Sequence, residues 1–356
     1  MRSKDNIKEL IEQLRVGSNR EIHFDEDAIM AAYQKKETNH QSLSIKILSI
    51  FGGIMACLTF LAFLFIAEIF DSETEASIVG VICIAGSSFI SRISGKTIVD
   101  TLSVSFFITG FTLLGIGLSA EDNTIYITFI GIALCTLFLA QSYILSFISI
   151  LIINGSIMAF AQVNHLYNLT SAIIIFQTVI TTFLFLQEAK IISQNKLFSN
   201  LYDPVRTGMV FSFIFTLAFL GLGSFLRLTD EYYDWIPSVV IVLAILYVVY
   251  LLFNTLQVTS TIYKILIYTL TVLFLLPTLL TPTISGAILV ILLSFLVNYR
   301  TGFVLGIIAL IGFIGRFYYD LQFTLLTKSI LLFTSGVIFL AIYFLIHKKL
   351  TENEKI

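Results

Sequence analysis

Nearly charge-free apolar runs, repeated from residue 45 almost to the end of the chain, limit what this sequence can fold into more than any other feature. They are roughly 17–25 residues long, the length at which an α-helix crosses the ~30 Å hydrocarbon core of a bilayer. The runs are continuous, whereas the strands of a transmembrane β-barrel alternate apolar and polar side chains. Composition points the same way: 57% of the residues are hydrophobic and 12% charged, with 33 phenylalanines, against about 25% charge in soluble domains. The predicted fold is an all-α polytopic transmembrane helical bundle.

About twelve spans are predicted, near 45–67, 76–91, 97–118, 124–140, 143–162, 168–187, 205–226, 236–253, 260–277, 282–298, 301–315 and 325–346. Pro277 and Pro282 fall where one helix should stop and the next begin, because proline lacks the amide hydrogen a helix interior needs. The run 301–315 is short and needs its flanks to complete a crossing. The longest connection, from Gln187 to Arg206, divides the spans six and six, as in transporters built from two repeats, although no matching motifs link the halves.

Residues 1–41 form a separate polar segment, and 347–356 a short polar tail. Ile7, Leu10, Ile11 and Leu14 recur at helical spacing. Gly17-Ser18-Asn19 breaks that pattern, and Asp25 is placed to cap a second helix carrying Ile29, Ala32 and Tyr33. The expected helical hairpin is too small for an enzyme domain. The chain opens without the early apolar core of a signal peptide.

An even span count puts both termini on one side. With the termini in the cytoplasm, three of the 21 Lys and Arg residues, namely Arg227, Arg316 and Lys328, lie outside, leaving 18 at or near the inner side. That is the asymmetry the positive-inside rule requires. The outer connections carry acids instead, among them Asp71, Glu121, Asp122 and Asp230, and Trp235 with Tyr232 and Tyr233 mark an outer boundary.

Charge is nearly absent from span centres. Lys46, Glu68, Arg92, Asp100, Lys264 and Arg300 all sit near predicted ends, where they reach headgroups or water. This weakens a proton relay or an ion-coupled pump. Two amides lie near span centres: Asn154 in the fifth span and Gln177 in the sixth, expected to be antiparallel neighbours. Their contact would act as interhelical glue or as the lining of a polar path. Gly115, Gly117, Gly221 and Gly223 lie in spans, where small residues let helices approach.

No catalytic constellation is present. The four histidines make no metal pattern. Cys57, Cys83 and Cys135 lie inside apolar runs without ligand spacing. No catalytic residue, cofactor, metal site or nucleic-acid partner is expected; the bilayer is.

The most charged and aromatic stretch between two apolar runs is Gly315 to Ser329. Arg316, Tyr318, Tyr319, Asp320 and Lys328 form the candidate outer-face interaction cluster, with a turn expected near Tyr318–Asp320. It reads either as an interfacial anchor or as a platform for a partner or substrate.

Phe317-Tyr318-Tyr319-Asp320-Leu321-Gln322, then Thr324-Leu325-Leu326-Thr327-Lys328-Ser329 and an apolar run with Gly336, resembles the C-terminal signature of a bacterial membrane family, domain-of-unknown-function family 4401. Ile98-Val99-Asp100-Thr101-Leu102 and the N-terminal hairpin extend the resemblance. It implies a multi-span protein of the bacterial inner membrane and a small membrane-anchored partner bearing a Gly-Asp-Tyr motif. It implies no site residues. The sequence thus suggests a non-catalytic membrane component working with such a partner, with carriage of a lipid or neutral solute as the alternative.

Overall fold

Hydrocarbon offers no hydrogen bonds, so each apolar run must satisfy its own backbone, and helix is the one local structure that does so. The computed structural model describes residues 43–66, 73–93, 97–118, 123–139, 142–223, 235–255 and 261–320, with isolated positions beyond Asp320. Among the described residues there is no strand. The N-terminal hairpin, Lys328 and most of the predicted last span lie outside them.

In chain order the helices are α1 (Leu43–Ile66), α2 (Glu73–Ile93), α3 (Thr97–Gly117), α4 (Thr124–Leu139), α5 (Tyr143–Val163) and α6 (Tyr167–Leu186). There follow α7 (Glu188–Gln194), α8 (Lys196–Gly223), α9 (Trp235–Thr255) and α10 (Thr261–Leu275). A 3₁₀ turn (Leu276–Leu280) then leads into α11 (Pro282–Leu296) and α12 (Arg300–Asp320). Among the described residues, eight helices are long and apolar enough to cross a membrane; α4, α11 and the apolar part of α1 are shorter.

Two expectations are corrected. The span predicted from 205 starts earlier, because α7 and α8 fill the connection after Gln187 and α8 begins at Lys196 with Pro204 inside it. Proline forfeits one backbone bond there, and the Tyr202 hydroxyl, which donates to the Leu184 carbonyl at 2.9 Å, fastens this turn to α6. Likewise no turn interrupts Tyr318–Asp320: α12 continues as helix through Asp320.

Tight reversals join neighbouring helices. His165 and Asn298 adopt positive φ, 52° and 56°. In each case the next residue's amide reaches back five positions, Leu166 to the Ala161 carbonyl and Tyr299 to that of Ser294. These are Schellman closures, which cap the outgoing helix and reverse the chain in few residues.

The interior divides into two main apolar cores. One, from α2 to α5, packs Ile84, Val104, Phe107, Phe111 and Leu145. The other gathers Ile174 and Phe185 of α6 with Val210, Phe213, Ile245 and Leu289 of α8, α9 and α11. The packing boundary thus falls between α5 and α6, one helix earlier than a six-and-six division. Close α5–α8 contact joins the cores: a Cβ built on Gly208 would lie 2.8 Å from Ile150, and Phe147 meets Phe211 edge-on at 5.4 Å. The closest glycine approach lies elsewhere than at Gly115 or Gly221, which meet only side chains, at 3.3 and 3.5 Å. Gly286 and Gly302 come nearest to side chains, and between Gly80 and Gly110 backbone faces backbone.

Candidate functional site

The two mid-span amides meet. The Gln177 side chain donates from Nε2 to Asn154 Oδ1 at 3.0 Å. Asn154 spends its own Nδ2 on the Ile150 carbonyl at 2.9 Å and on Met209 Sδ at 3.7 Å. Gln177 is fully buried, and its Oε1 has no hydrogen-bond partner among the described residues. The contact ties α5, α6 and α8 at one level, worth about 0.6–2 kcal/mol. Ile150 and Met209, which Asn154 contacts, belong to an apolar cluster with Leu137, Ile153, Ile180 and Leu184, and the buried Thr181 hydroxyl, one turn from Gln177, also lacks a hydrogen-bond partner among the described residues.

A larger polar centre lies at one end of the bundle, and the sequence reading passed over it. Its core is Arg206, one turn into α8 past Tyr202, with 8% of its surface exposed. The guanidinium pairs with Glu188 Oε1 at 3.1 Å and Asp203 Oδ1 at 2.7 Å. Three rings surround it, Tyr299 at 4.1 Å, Tyr202 at 4.9 Å and Phe185 at 5.9 Å from ring centre to Cζ. Stacking on aromatic faces suits the flat, weakly hydrated guanidinium.

The neighbouring Thr207 extends the centre across the bundle. Its hydroxyl donates to the Asp203 carbonyl at 2.8 Å. With that single proton committed, it accepts from the Tyr143 phenol at 3.0 Å and from the Tyr299 phenol at 2.8 Å. Burial pushes the Tyr299 phenol above its ordinary value, against the pull of Arg206; the net rise keeps it protonated and donating. The Asn298 reversal is what delivers Tyr299 here. Five segments therefore converge: the start of α5, the end of α6, the start of α7, the first half of α8 and the α11–α12 turn. Chemically the centre is a closed clasp, a cation neutralised by two carboxylates and walled by rings.

Tyr143, Glu188, Arg206 and Tyr299 are scattered over more than 150 residues of sequence. One local signal existed: Asp203 three residues before Arg206, on a helix face. Reading 187–206 as a connection hid it.

The outer cluster is only partly visible. Arg316, Tyr318, Tyr319 and Asp320 all lie on the last turns of α12. Tyr319 is 76% exposed, and its ring meets that of Tyr318 edge-on at 5.7 Å. At the same end as α4's start, Asn123 and Asn164 exchange amide hydrogen bonds at 3.1 and 2.9 Å.

Fold and site together define a helical bundle of membrane type, with a neutralised clasp at one end and an exposed tyrosine at the tip of α12. The chain belongs to the family described as Domain of unknown function (DUF4401), whose family model matches residues 42–349. The N-terminal segment lies outside that match. No curated protein and no solved structure matches the chain.

Proposed function

We propose that this is a multi-pass protein of the bacterial inner membrane, with twelve spans and both termini in the cytoplasm, that performs no chemistry of its own and works by holding a membrane-anchored partner at its outer face. The partner surface is the tip of α12, Arg316 to Asp320, continued by Lys328. The observation that carries the reading is the exposed aromatic side chains on the tip of α12. At the Arg206 end the guanidinium is paired with Glu188 and Asp203, and the Tyr143 and Tyr299 phenols are bonded to Thr207. The α12 tip turns Phe317 and Tyr319 outward, and α12 buries only 11% of its apolar window against 56% for α8. Exposed aromatic side chains beside charge are the usual anchors of an interface.

Carriage of a lipid or neutral solute has one observation in its favour, the unpartnered Oε1 of Gln177 at mid-helix. The direct bond from Gln177 to Asn154 supports packing glue instead.

A photoreactive phenylalanine analogue at position 319, and separately at 328, decides between them in cells. The partner reading expects one discrete protein adduct at both positions. Adducts to lipid alone would overturn it.

A further inference from the structure

A serine or threonine inside an apolar helix ordinarily gives its proton to a carbonyl one turn back. Thr178 and Thr182 of α6 and Thr216 of α8 do so, at 2.7, 2.8 and 2.9 Å. Thr181 of α6 and Ser212 of α8 do not. Both are buried, with 0% and 4% of their surface exposed, and neither hydroxyl has a hydrogen-bond partner among the described residues. The same holds for Gln177 Oε1, one turn before Thr181.

The packing brings these groups within about one turn of each other along the bundle. Gln177 and Thr181 are four apart on α6 and share a face. Gln177 bonds Asn154 of α5, and Asn154 in turn reaches Met209 of α8. Helices α5 and α8 run parallel, with Tyr143 against Thr207 and Phe147 against Phe211. Gly208 packs on Ile150. Ser212 lies one turn past Gly208, and Asn154 one turn past Ile150, so Ser212 stands level with Asn154.

Their unmet demands are complementary. Two hydroxyls have protons to give, and one amide oxygen has lone pairs to fill. A cation would bind the oxygens but leave both protons unspent, and no carboxylate stands at this level of α5, α6 or α8 to balance its charge. An anion would be repelled by the amide oxygen. A water molecule meets all three, accepting from the two hydroxyls and donating to Oε1, and two to four polar partners are what hold an internal water. We propose that Gln177, Thr181 and Ser212 bind an ordered water molecule at mid-bundle, which ties α6 to α8 as the amide bond ties α6 to α5. The site is independent of the partner surface at α12. It gives Gln177 Oε1 a partner, and so removes the one observation that favours carriage of a solute.

Shape-conserving substitutions test this by sign. Removing a buried hydroxyl that has no partner stabilises a protein, whereas removing one bonded to water loses a bond. In the purified full chain, Thr181→Val and Ser212→Ala should each lower the denaturant midpoint. The double variant should lower it by less than the sum, because both hydroxyls bond one water. A midpoint raised or unchanged in either variant, or strictly additive losses, overturns the proposal. A second measurement needs no variant. X-ray radiolysis turns a bound water into hydroxyl radical where it sits, and methionine sulfur is readily oxidised. Met209 and Met158 are similarly buried, 6% and 5% exposed, but Met209 touches Asn154 while Met158 packs with Ala161 and Ile173. Peptide mass spectrometry should find Met209 oxidised several-fold faster than Met158, and the double variant should bring the two rates together. Equal rates in the wild type overturn the proposal, and so does an undiminished Met209 rate in the folded double variant.

Discussion

Arg206 is the residue on which most of the visible polar structure turns. Removing one member of a buried ion pair strands the other, at about 3–5 kcal/mol when both are fully buried. Here the carboxylates keep access to solvent, since the side chains of Glu188 and Asp203 are 30% and 65% exposed. The stranding term is therefore smaller, and loss of packing against Tyr299 and Tyr202 is added to it. Arg206→Ala should destabilise the purified protein by about 2–3 kcal/mol. Arg206→Lys should recover only part of this, because an ammonium neither forks between two carboxylates nor stacks flat on a ring. Unfolding by graded denaturant in detergent ranks the variants; an unchanged midpoint for Arg206→Ala would mean the clasp carries no stability. The amide pair was readable from sequence because Asn154 and Gln177 are conspicuous in apolar runs of consecutive helices. The clasp was not, because a charge at the end of a span looks the same whether it reaches for headgroups or turns into the bundle.

At the scale of elements, the α2–α3 pair shows how backbone contact decides a substitution. A Cβ on Gly80 would sit 2.8 Å from the Gly110 carbonyl oxygen and 2.9 Å from the Leu114 amide nitrogen. Both atoms are backbone, so the helices themselves would have to part. Ser103, which donates to the Ser87 carbonyl at 2.6 Å, pins the same pair and resists the shift. Alanine gains about 1 kcal/mol over glycine in helix propensity, and overpacking of this kind costs about 1–3 kcal/mol. The clash wins, and Gly80→Ala should lower the denaturant midpoint. Gly86→Ala, in the same helix with nothing within 4 Å, should raise it or leave it unchanged. Equal effects would show that the close approach is not what holds α2 to α3. The helices themselves were legible: hydrocarbon forces each apolar run into one element, and α3, α5 and α6 start and stop within a residue or two of their predicted limits. The errors came where polar sequence stays helical. Lys196–Tyr202 and Arg316–Asp320 lack the apolar signal, yet α8 and α12 run through them. The partner glycines were illegible, since nothing local separates Gly80 from Gly86.

For the whole molecule, the open quantity is the parity of crossings. At about 1.5 Å per residue, α11 alone reaches about 22 Å and α4 about 24 Å, short of the ~30 Å hydrocarbon core. The 3₁₀ turn before α11 completes the α10 crossing, which runs Thr261–Leu279; α11, like α4, needs its flanks or a thinned bilayer. If α4 crosses, six spans precede Asn195, at the junction of α7 and α8, and five follow it up to Asp320. The apolar run after Lys328 then decides on which side Ile356 lies. Lys190, Lys196 and Arg300 stand at the Arg206 end, which the proposed topology puts in the cytoplasm. Fluorescent-protein fusions inserted at Asn195 and placed after Ile356 should both fluoresce, and alkaline phosphatase inserted near Asp230 should be active. Fluorescence at Asn195 with phosphatase activity after Ile356 would mean that the last run does not cross; Lys328 would then lie on the same outer side but at the head of an extracytoplasmic tail. Phosphatase activity at Asn195 would invert the molecule, place the clasp outside, and remove the basis for an outer partner at Tyr319.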